Sequence, residues 1–242
     1  MSSTLNIALI GYGKMGKAIE AIALQQGHRI GLIIDMDTAH LLAPAHLQSC
    51  DVAIEFTGPH SAVHNIKACL QAGIPVVSGS TGWLEHWDEV EAYCRKQNGG
   101  LLYASNFSIG VNLFFELNKK LAALMQAHPQ YRAEVEEIHH TAKKDAPSGT
   151  AITLAEQIMT QYPTMEKWVN HSSNDNTQLG IISKRIDPAP GTHHVRYTSA
   201  IDDIEIIHTA HNREGFAGGA VMAAGFMAGK KGIFTMKDVL GL

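Results

Sequence analysis

The sequence predicts an α/β protein of two domains, in which a parallel sheet covered by helices is followed by a domain of α+β type. In the first hundred residues, short runs of apolar, β-branched residues alternate with helix-like stretches. Strands are predicted over residues 5–10, 30–34, 52–56, 74–78 and 101–104, and helices over residues 14–26, 59–70 and 84–96. Strands that are apolar throughout and alternate with helices are typical of a parallel sheet buried on both faces.

The pattern changes after the fifth strand. A long helix is predicted over residues 111–126, a strand over 135–141 and a helix over 148–160, followed by three successive strands over 180–186, 194–200 and 204–211. Strands gathered with few helices favour an α+β domain. The small, apolar tail over residues 215–230 predicts a helix that returns to the first domain. We therefore expect one domain from residues 1–107 and 214–242, and another from residues 108–213.

Composition excludes several classes of function. The chain has 242 residues, 45% of them hydrophobic, and a net charge of −4, so it lacks the basic field that holds nucleic acid. No apolar run approaches the roughly 20 residues that span a bilayer, so no membrane association is expected. The first residues lack the pattern of a signal peptide, and three widely spaced cysteines suit a reducing compartment. The sequence predicts a cytoplasmic protein.

A glycine-rich loop directly follows the first predicted strand and opens a helix. Its residues are Gly11, Tyr12, Gly13, Lys14, Met15 and Gly16, which fit the G-x-G-x-x-G pattern of Rossmann-type dinucleotide sites. In such loops the first glycine permits a tight turn, the second lets a pyrophosphate approach and the third lets helix and strand pack closely. The helix N-terminus adds free N–H groups and partial positive charge. A structural glycine turn is the alternative.

The residue type at the end of the second predicted strand bears on the choice of cofactor. Asp35 lies 19 residues after Gly16, close to the spacing of about 20 expected for the carboxylate that holds the ribose hydroxyls. A carboxylate there favours NADH because it repels a 2′-phosphate. Lys14 lies within the loop and is long enough to reach a 2′-phosphate, so both NADH and NADPH stay open.

Two further segments follow the fourth and fifth predicted strands, where the crevice of a parallel sheet is expected. We predict that they line the nicotinamide and ribose, although plain turns are an equal alternative. The residues are Gly79, Ser80, Thr81, Ala104, Ser105, Asn106 and Phe107.

The run from His139 to Thr150 carries the candidate substrate chemistry. His139 and Lys143 are four residues apart, so they share a face in either a strand or a helix. Ser148 is a good N-cap, and the Gly149-Thr150 helix end offers free N–H groups to a carboxylate. A surface lysine pair is the alternative for Lys143, and His139-His140 lack the neighbouring acid or cysteine of a standard zinc site, so no metal is expected.

Several runs of this chain together resemble the dihydrodipicolinate reductase family, the 4-hydroxy-tetrahydrodipicolinate reductases of lysine and diaminopimelate biosynthesis. The resemblance extends nearly end to end. It is carried by residues 137–143 and 145–151, and also by residues 55–57, 79–82, 105–112 and 215–220. It implies NAD(P)H-dependent reduction of a small dicarboxylic substrate, and a substrate domain with an open mixed sheet through which a homotetramer forms.

The resemblance also implies roles for individual residues. His139 corresponds to the family's proton donor or acceptor and Lys143 to its proton donor, while His140, Gly149 and Thr150 correspond to contacts with the substrate carboxylates. The chain departs from the family in a glycine loop one residue shorter than the commoner form, in Lys14 for a usual arginine and in Asp187 for a usual glycine. Arg185 and His193, which flank Asp187, are further candidates for substrate binding.

Two other functions fit part of this pattern. Another two-domain Rossmann dehydrogenase, acting on an amino acid or a sugar, accounts for the glycine loop and Asp35. A non-catalytic NAD(H)-sensing module does so as well. Neither gives a purpose to the run from His139 to Thr150.

Overall fold

The computed structural model describes residues 3–212 and 214–242. The chain forms two compact units, the first made of residues 1–109 and 214–242 and the second of residues 110–213. The C-terminal segment thus belongs to the first unit.

A six-stranded parallel sheet forms the centre of the first unit. Its strands are β1 (Asn6–Ile10), β2 (Arg29–Ile34), β3 (Val52–Glu55), β4 (Val76–Ser78), β5 (Gly100–Tyr103) and, from the end of the chain, β11 (Gly232–Phe234). They lie in the order β11-β5-β4-β3-β1-β2. Every neighbouring pair is parallel.

Helices cover both faces of this sheet. They are α1 (Lys14–Gln25), α2 (Pro44–Leu47), α3 (Pro59–Gln71), α4 (Trp87–Lys96), α7 (Glu214–Met227) and α8 (Met236–Leu240). Alternate strand residues point to opposite faces. Leu9 and Ile54 therefore pack with α1 and α7, whereas Ile10 and Ala53 pack with α3 and α4. The expected two-sided burial of a parallel sheet is confirmed.

The second unit contains a five-stranded mixed sheet. Its elements are α5 (Ile109–Met125), β6 (Arg132–His139), α6 (Gly149–Met159), β7 (Lys167–Val169), β8 (Gln178–Arg185), β9 (Thr192–Thr198) and β10 (Asp203–Thr209). The strand order is β10-β9-β6-β8-β7. Strand β6 pairs in parallel with β8 and antiparallel with β9, and α5 and α6 share one core with the sheet. The predicted α/β class, with a second domain of helices and a mixed sheet, is confirmed.

Some predicted elements need correction. The single helix predicted over residues 84–96 begins as a 3₁₀ turn at Leu84–His86 before α4. The strand predicted to reach residue 141 ends at His139. The short elements β7, β11, α2 and α8 were not predicted, because three to five residues carry too little periodicity to reveal them.

Within residues 3–212 and 214–242, no helix combines the length and the apolar character that crossing a lipid bilayer requires.

Helix α7 approaches the segment after β5 so closely that one of its glycines has no room for a side chain. A Cβ at Gly219 would lie 1.8 Å from the carbonyl oxygen of Phe107. We expect Gly219→Ala to lower the free energy of unfolding by about 3 kcal/mol, measured by urea titration, because backbone must shift to make room.

The matched control is Gly225→Ala in the same helix. Apart from its chain neighbours and the nearby backbone of its own helix, no atom in the described part of the chain lies within 4 Å of a Cβ there. This alanine should stabilise the protein by about 0.5–1 kcal/mol through helix propensity. Equal effects of the two substitutions would contradict the proposed close approach.

Candidate active site and cofactor-binding loop

Two of the three glycines in the loop after β1 are required by the fold itself. Gly11 has a φ of +93°, and a Cβ there would lie 2.2 Å from the carbonyl oxygen of Phe56. A Cβ at Gly16 would lie 2.2 Å from the carbonyl oxygen of Gly11. The chain therefore turns sharply at Gly11, and α1 packs tightly against this turn.

Gly13 differs from the other two glycines. Among residues 3–212 and 214–242, no atom beyond its chain neighbours lies within 4 Å of a Cβ built there. Gly13 is also the N-cap of α1 and makes no side-chain cap, so the first N–H groups of this 12-residue helix are open to a ligand. Packing within the described residues does not require this glycine, which leaves open the space that a pyrophosphate occupies in Rossmann-type loops.

The other loop residues divide between the core and the surface. Tyr12 and Met15 pack partly buried against the core that contains α1, and the Tyr12 hydroxyl donates a hydrogen bond to Glu20. Lys14 is exposed. It is thus the loop side chain that is free to extend towards a phosphate.

Asp35 lies at the carboxyl end of β2, where it caps the following 3₁₀ helix. Its carboxylate accepts the backbone N–H of Thr38, and its own N–H donates to Thr38 Oγ1 over 2.8 Å. The side chain of Asp35 is nevertheless exposed, so it keeps acceptor capacity for ribose hydroxyls.

A buried carboxylate ties the loops after β3 and β4 together. Glu55, the last residue of β3, is fully buried. It accepts hydrogen bonds from Ser78 Oγ and Ser80 Oγ, both at 2.7 Å, and from both the N–H and the hydroxyl of Thr57. Sequence reasoning noted Glu55 only within a resembling motif. Its position at the end of an apolar strand was the signal that it is buried and must be satisfied.

The segment after β4 mostly points inward. Ser80 is 5% exposed within the Glu55 network, and a Cβ at Gly79 would lie 2.2 Å from the Phe56 ring. Thr81 is exposed. Of the three predicted residues, Thr81 is the one whose side chain is exposed, and the other two shape the backbone.

The segment after β5 shows a similar division. Phe107 is 2% exposed and packs 5.5 Å from the Phe56 ring, so its side chain belongs to the core. Asn106 Oδ1 accepts the Ser108 N–H over 2.9 Å, Ala104 is partly buried and Ser105 is exposed. Ser105 is the residue here whose side chain faces solvent.

In the second unit, the helix-covered face of the sheet changes from apolar to polar near the end of β6. Strand register places Val135, Ile181 and Val195 side by side in the core. Continuing along the strands, the next row on this face consists of Glu137, Ser183 and His193, and the row after it of His139 and Arg185. One face of the sheet is therefore apolar in the core and polar towards the ends of β6 and β8.

Glu137 is the centre of the polar end. It is fully buried, with one carboxylate oxygen on His139 Nδ1 and the other 2.9 Å from Arg185 Nη1. Burial opposes ionisation, but hydrogen bonds from His139, Ser183 and Arg185 outweigh it and lower the pKa of Glu137 to about 2. The carboxylate is therefore charged at neutral pH.

His193 lies beside this pair on β9. It is 5% exposed, and its ring stands 5.1 Å from the His139 ring. Its Nε2 lies 3.2 Å from Ser148 Oγ, whereas its Nδ1 has no hydrogen-bond partner among the described residues. Burial and the neighbouring His139 lower the pKa of His193 to about 3, so this ring is neutral.

Lys143 reaches the site from a turn. Residues 141 and 142 form the turn, and the Lys143 N–H donates to the His140 carbonyl over 3.1 Å. The premise that His139 and Lys143 share a face of one strand or helix is therefore wrong, because β6 ends at His139. The Lys143 ammonium lies 2.8 Å from both carboxylate oxygens of Asp145 and is 23% exposed.

The turn after β6 is anchored by Asp187. Its carboxylate accepts hydrogen bonds from the Thr141 N–H over 3.1 Å and the Thr141 hydroxyl over 2.6 Å, which lower the pKa of Asp187. The Ile186 N–H donates to the His139 carbonyl over 2.8 Å. The residue that departs from the family pattern thus holds the segment that leads to Lys143.

Helix α6 begins at the polar end of the sheet. Ser148 is its N-cap and accepts the Ala151 N–H over 3.3 Å, as the sequence predicts. Gly149 is exposed, and no atom within the described ranges, chain neighbours aside, lies within 4 Å of a Cβ there. Thr150 is partly exposed. The 11-residue helix therefore presents an open N-terminus suited to an anion.

The polar end also contains a group of potential metal ligands. One ligand atom each from Glu137, His139 and His193 lies within 4.8 Å of the others. An acid does accompany the histidines, because Glu137 lies two residues before His139 on the same face, so the predicted lack of a neighbouring acid is wrong. Because Arg185 places a cation on the same carboxylate, a second cation is disfavoured. The absence of a metal stays a prediction.

Comparisons with known proteins identify the family of this chain. A profile described as "Dihydrodipicolinate reductase, N-terminus" matches residues 5–107, and one described as "Dihydrodipicolinate reductase, C-terminus" matches residues 110–240. The chain belongs to the dihydrodipicolinate reductase family. The 4-hydroxy-tetrahydrodipicolinate reductase of Christiangramia forsetii is 50% identical over 237 residues, covering 98% of each chain. That of Chromobacterium violaceum is 33% identical, again over 98% of each chain.

A solved structure of the dihydrodipicolinate reductase family shows the same fold. It is the dipicolinate-bound dihydrodipicolinate reductase from Paenisporosarcina sp. TG-14, with a TM-score of 0.72 and 22% identity over 96% of this chain and 98% of that one.

The low pKa of His193 gives a prediction about pH. Its folded-state pKa of about 3 lies below the unfolded value of 6.5, so the unfolded chain takes up the proton first. The stability contribution is complete above the unfolded value and is lost as pH falls towards the folded one. We expect the free energy of unfolding to fall by about 2–3 kcal/mol between about pH 7 and pH 4.5.

His193→Gln should remove most of this loss, whereas His128→Gln, an exposed histidine in the same unit, should not. Urea titrations across the pH range measure the effect. An undiminished loss in His193→Gln would show that another group carries the pH dependence.

Proposed function

We propose that this protein is an oxidoreductase that uses NADH or NADPH to reduce 4-hydroxy-tetrahydrodipicolinate to tetrahydrodipicolinate. The observation that carries the proposal is the polar end of the second sheet. There His139, Lys143 and the open N-terminus of α6 meet in a chain that is 50% identical to a reductase of that name. The reaction belongs to lysine and diaminopimelate biosynthesis, as membership of the family implies.

Residues 1–107 and 214–242 form the proposed dinucleotide-binding domain. Gly11 and Gly16 fix the turn, and Gly13 leaves room for the pyrophosphate at the start of α1. Asp35 offers acceptors to the ribose, and Thr81 and Ser105 offer exposed hydroxyls at the same sheet edge. These features fit a nicotinamide dinucleotide, and Asp35 favours NADH over NADPH.

Residues 108–213 form the proposed substrate-binding and oligomerisation domain. The N–H groups at Gly149 and Thr150 suit one substrate carboxylate, and Lys143 with His140 suits the other. Asp145 already pairs with Lys143, so an incoming carboxylate competes for this ammonium. The family resemblance supports a homotetramer formed through this sheet, and the biosynthetic role supports a cytoplasmic location.

Reduction adds a hydride to an electron-poor ring carbon and a proton to the ring system, and the 4-hydroxyl group leaves as water. The bound nicotinamide supplies the hydride. His139 and Lys143 are the proposed proton donors, and such transfer contributes a factor of roughly 10² to 10⁴. The helix end and the lysine hold the ring in place, which lowers the entropic part of the barrier.

A coupled assay tests the proposed reaction. Pyruvate, aspartate semialdehyde and the upstream synthase generate the substrate, and the protein is added with NADH or NADPH. We expect a loss of nicotinamide absorbance that requires the synthase. Cofactor binding without any such loss would favour a sensing module, and turnover of a sugar or amino acid instead would favour another dehydrogenase.

Replacement of the proposed proton donor should affect turnover more than cofactor binding. We expect Lys143→Ala to lower kcat by roughly 10² or more, with the Kd for NADH changed less than about threefold. Lys144→Ala, the exposed neighbour, is the control and should behave like the wild type. Equal losses in kcat and cofactor affinity would overturn the assignment of Lys143 to the substrate.

The cofactor preference depends on Asp35. Removing its carboxylate in Asp35→Ala should weaken NADH binding about tenfold, the equivalent of about 1.4 kcal/mol. The Kd for NADH should then lie closer to the Kd for NADPH. Fluorescence titration with each cofactor measures both constants. Asp37→Ala, an exposed acid two residues away, is the control. An unchanged ratio of the two constants in Asp35→Ala would remove Asp35 from the ribose site.

A further inference from the structure

We propose that Glu137 is a positioning residue that fixes the tautomer of His139, holding the ring hydrogen on Nδ1 so that Nε2 exchanges protons with the substrate. The identity of that substrate rests on the function proposed above. The pairing of the two side chains does not, so the two ideas can fail separately.

The position of the hydrogen follows from what a carboxylate can accept. Glu137 Oε2 contacts His139 Nδ1, and an ionised carboxylate has acceptors only. The pKa of Glu137 is about 2, so it is ionised throughout the neutral range. Nδ1 must therefore be the donor. In the neutral ring Nε2 is then the basic atom, and in the protonated ring it is the acid.

Glu137 cannot easily turn away from His139. Its second oxygen accepts from Arg185 Nη1 at 2.9 Å, and Arg185 is itself held by the carbonyls of Asp145 at 2.6 Å and Lys184 at 2.8 Å. The parallel register of β6 and β8 places Arg185 directly beside His139. The carboxylate is fixed between two donors, one on each oxygen.

The other side of the ring is kept clear by a glycine. Gly191, with a φ of +155°, lies at the start of β9, and a Cβ there would lie 3.0 Å from His139 Nε2. A side chain at this position would crowd the atom that we assign to proton exchange. Glu137 thus accepts the hydrogen on Nδ1, whereas Gly191 leaves space around Nε2.

An amide in place of the carboxylate should reverse the tautomer. In Glu137→Gln, the amide oxygen is required by Arg185, which has donors only. The amide NH₂ group is then left facing His139 Nδ1, which must become an acceptor, and the ring hydrogen moves to Nε2. In Ser-His-Asp enzymes the corresponding change of the acid to an amide gives the wrong tautomer and costs about 10⁴ in kcat.

The test combines ¹⁵N NMR of the full chain, labelled at histidine, with steady-state kinetics. His139 signals are assigned by their loss in His139→Gln. With the His139 ring neutral, the wild type should show the hydrogen on Nδ1 and Glu137→Gln should show it on Nε2. We expect kcat for Glu137→Gln to fall roughly 10²- to 10⁴-fold, with little change in KM or in the Kd for NADH. Glu137→Asp, which keeps an acceptor, should retain the tautomer and recover part of kcat.

Glu136→Gln is the matched control. It makes the same chemical change one residue earlier, on the opposite face of β6, where Glu136 pairs with Lys184 at 2.6 Å. Glu136→Gln should leave the His139 tautomer and kcat unchanged. The molecular mass of the protein in solution should also equal that of the wild type.

Three results would overturn the proposal: a wild-type hydrogen on Nε2, an unchanged tautomer in folded Glu137→Gln, or the same loss of kcat in Glu136→Gln. If Glu137→Gln does not fold, the position of the ring hydrogen in the wild-type and Glu137→Asp spectra decides whether Glu137 fixes the tautomer. If the wild type reduces no synthase product, the proposed function fails, and the spectra still decide the role of Glu137.

Discussion

The polar end of the second sheet depends on the cost of burying the carboxylate of Glu137. A carboxylate without partners in the interior would cost several kcal/mol, so it needs donors that the fold brings within reach. His139 lies two residues along the same strand, and Arg185 and Ser183 come from the parallel neighbour. A shift of β8 by one residue in this register would turn Ser183 and Arg185 to the other face of the sheet, away from Glu137. The same carboxylate therefore specifies the strand pairing and the chemistry at its end.

The first unit also contains a buried carboxylate that is stabilised by hydrogen bonds, but the donors are different. Glu55 ends β3, in the middle of its sheet, and accepts hydroxyl and N–H groups from the last residue of β4 and from the loops after β3 and β4. These neutral donors fix the shape of a backbone edge without adding charge. Glu137 instead collects a guanidinium and an imidazole. One buried acid thus shapes the sheet edge that we propose binds the cofactor, and the other organises ionisable groups.

The elements that the sequence predicts well are those with a long pattern. Alternation of strands and helices gave the parallel sheet, and the spacing of Ala151, Leu154 and Ile158 gave the buried face of α6. Pairing across strands is different, because Arg185 lies 48 residues from Glu137 along the chain. No local pattern links them, and neither the Glu137 network nor the convergence of His193 was predicted. The turn that carries Lys143 was missed because its geometry depends on Asp187, 46 residues away from Thr141.

Gly13 and Gly149 are glycines that the fold does not need, unlike Gly219. A substitution that strains the fold raises the unfolded fraction, and cellular proteases then remove the protein. A small side chain at Gly13 or Gly149 should not raise the unfolded fraction, because only a bound ligand would contact the added atoms. Natural variants at these two positions should therefore accumulate at full cellular abundance while lacking activity. Under the proposed function, selection at these two positions acts on enzyme activity rather than on the amount of protein.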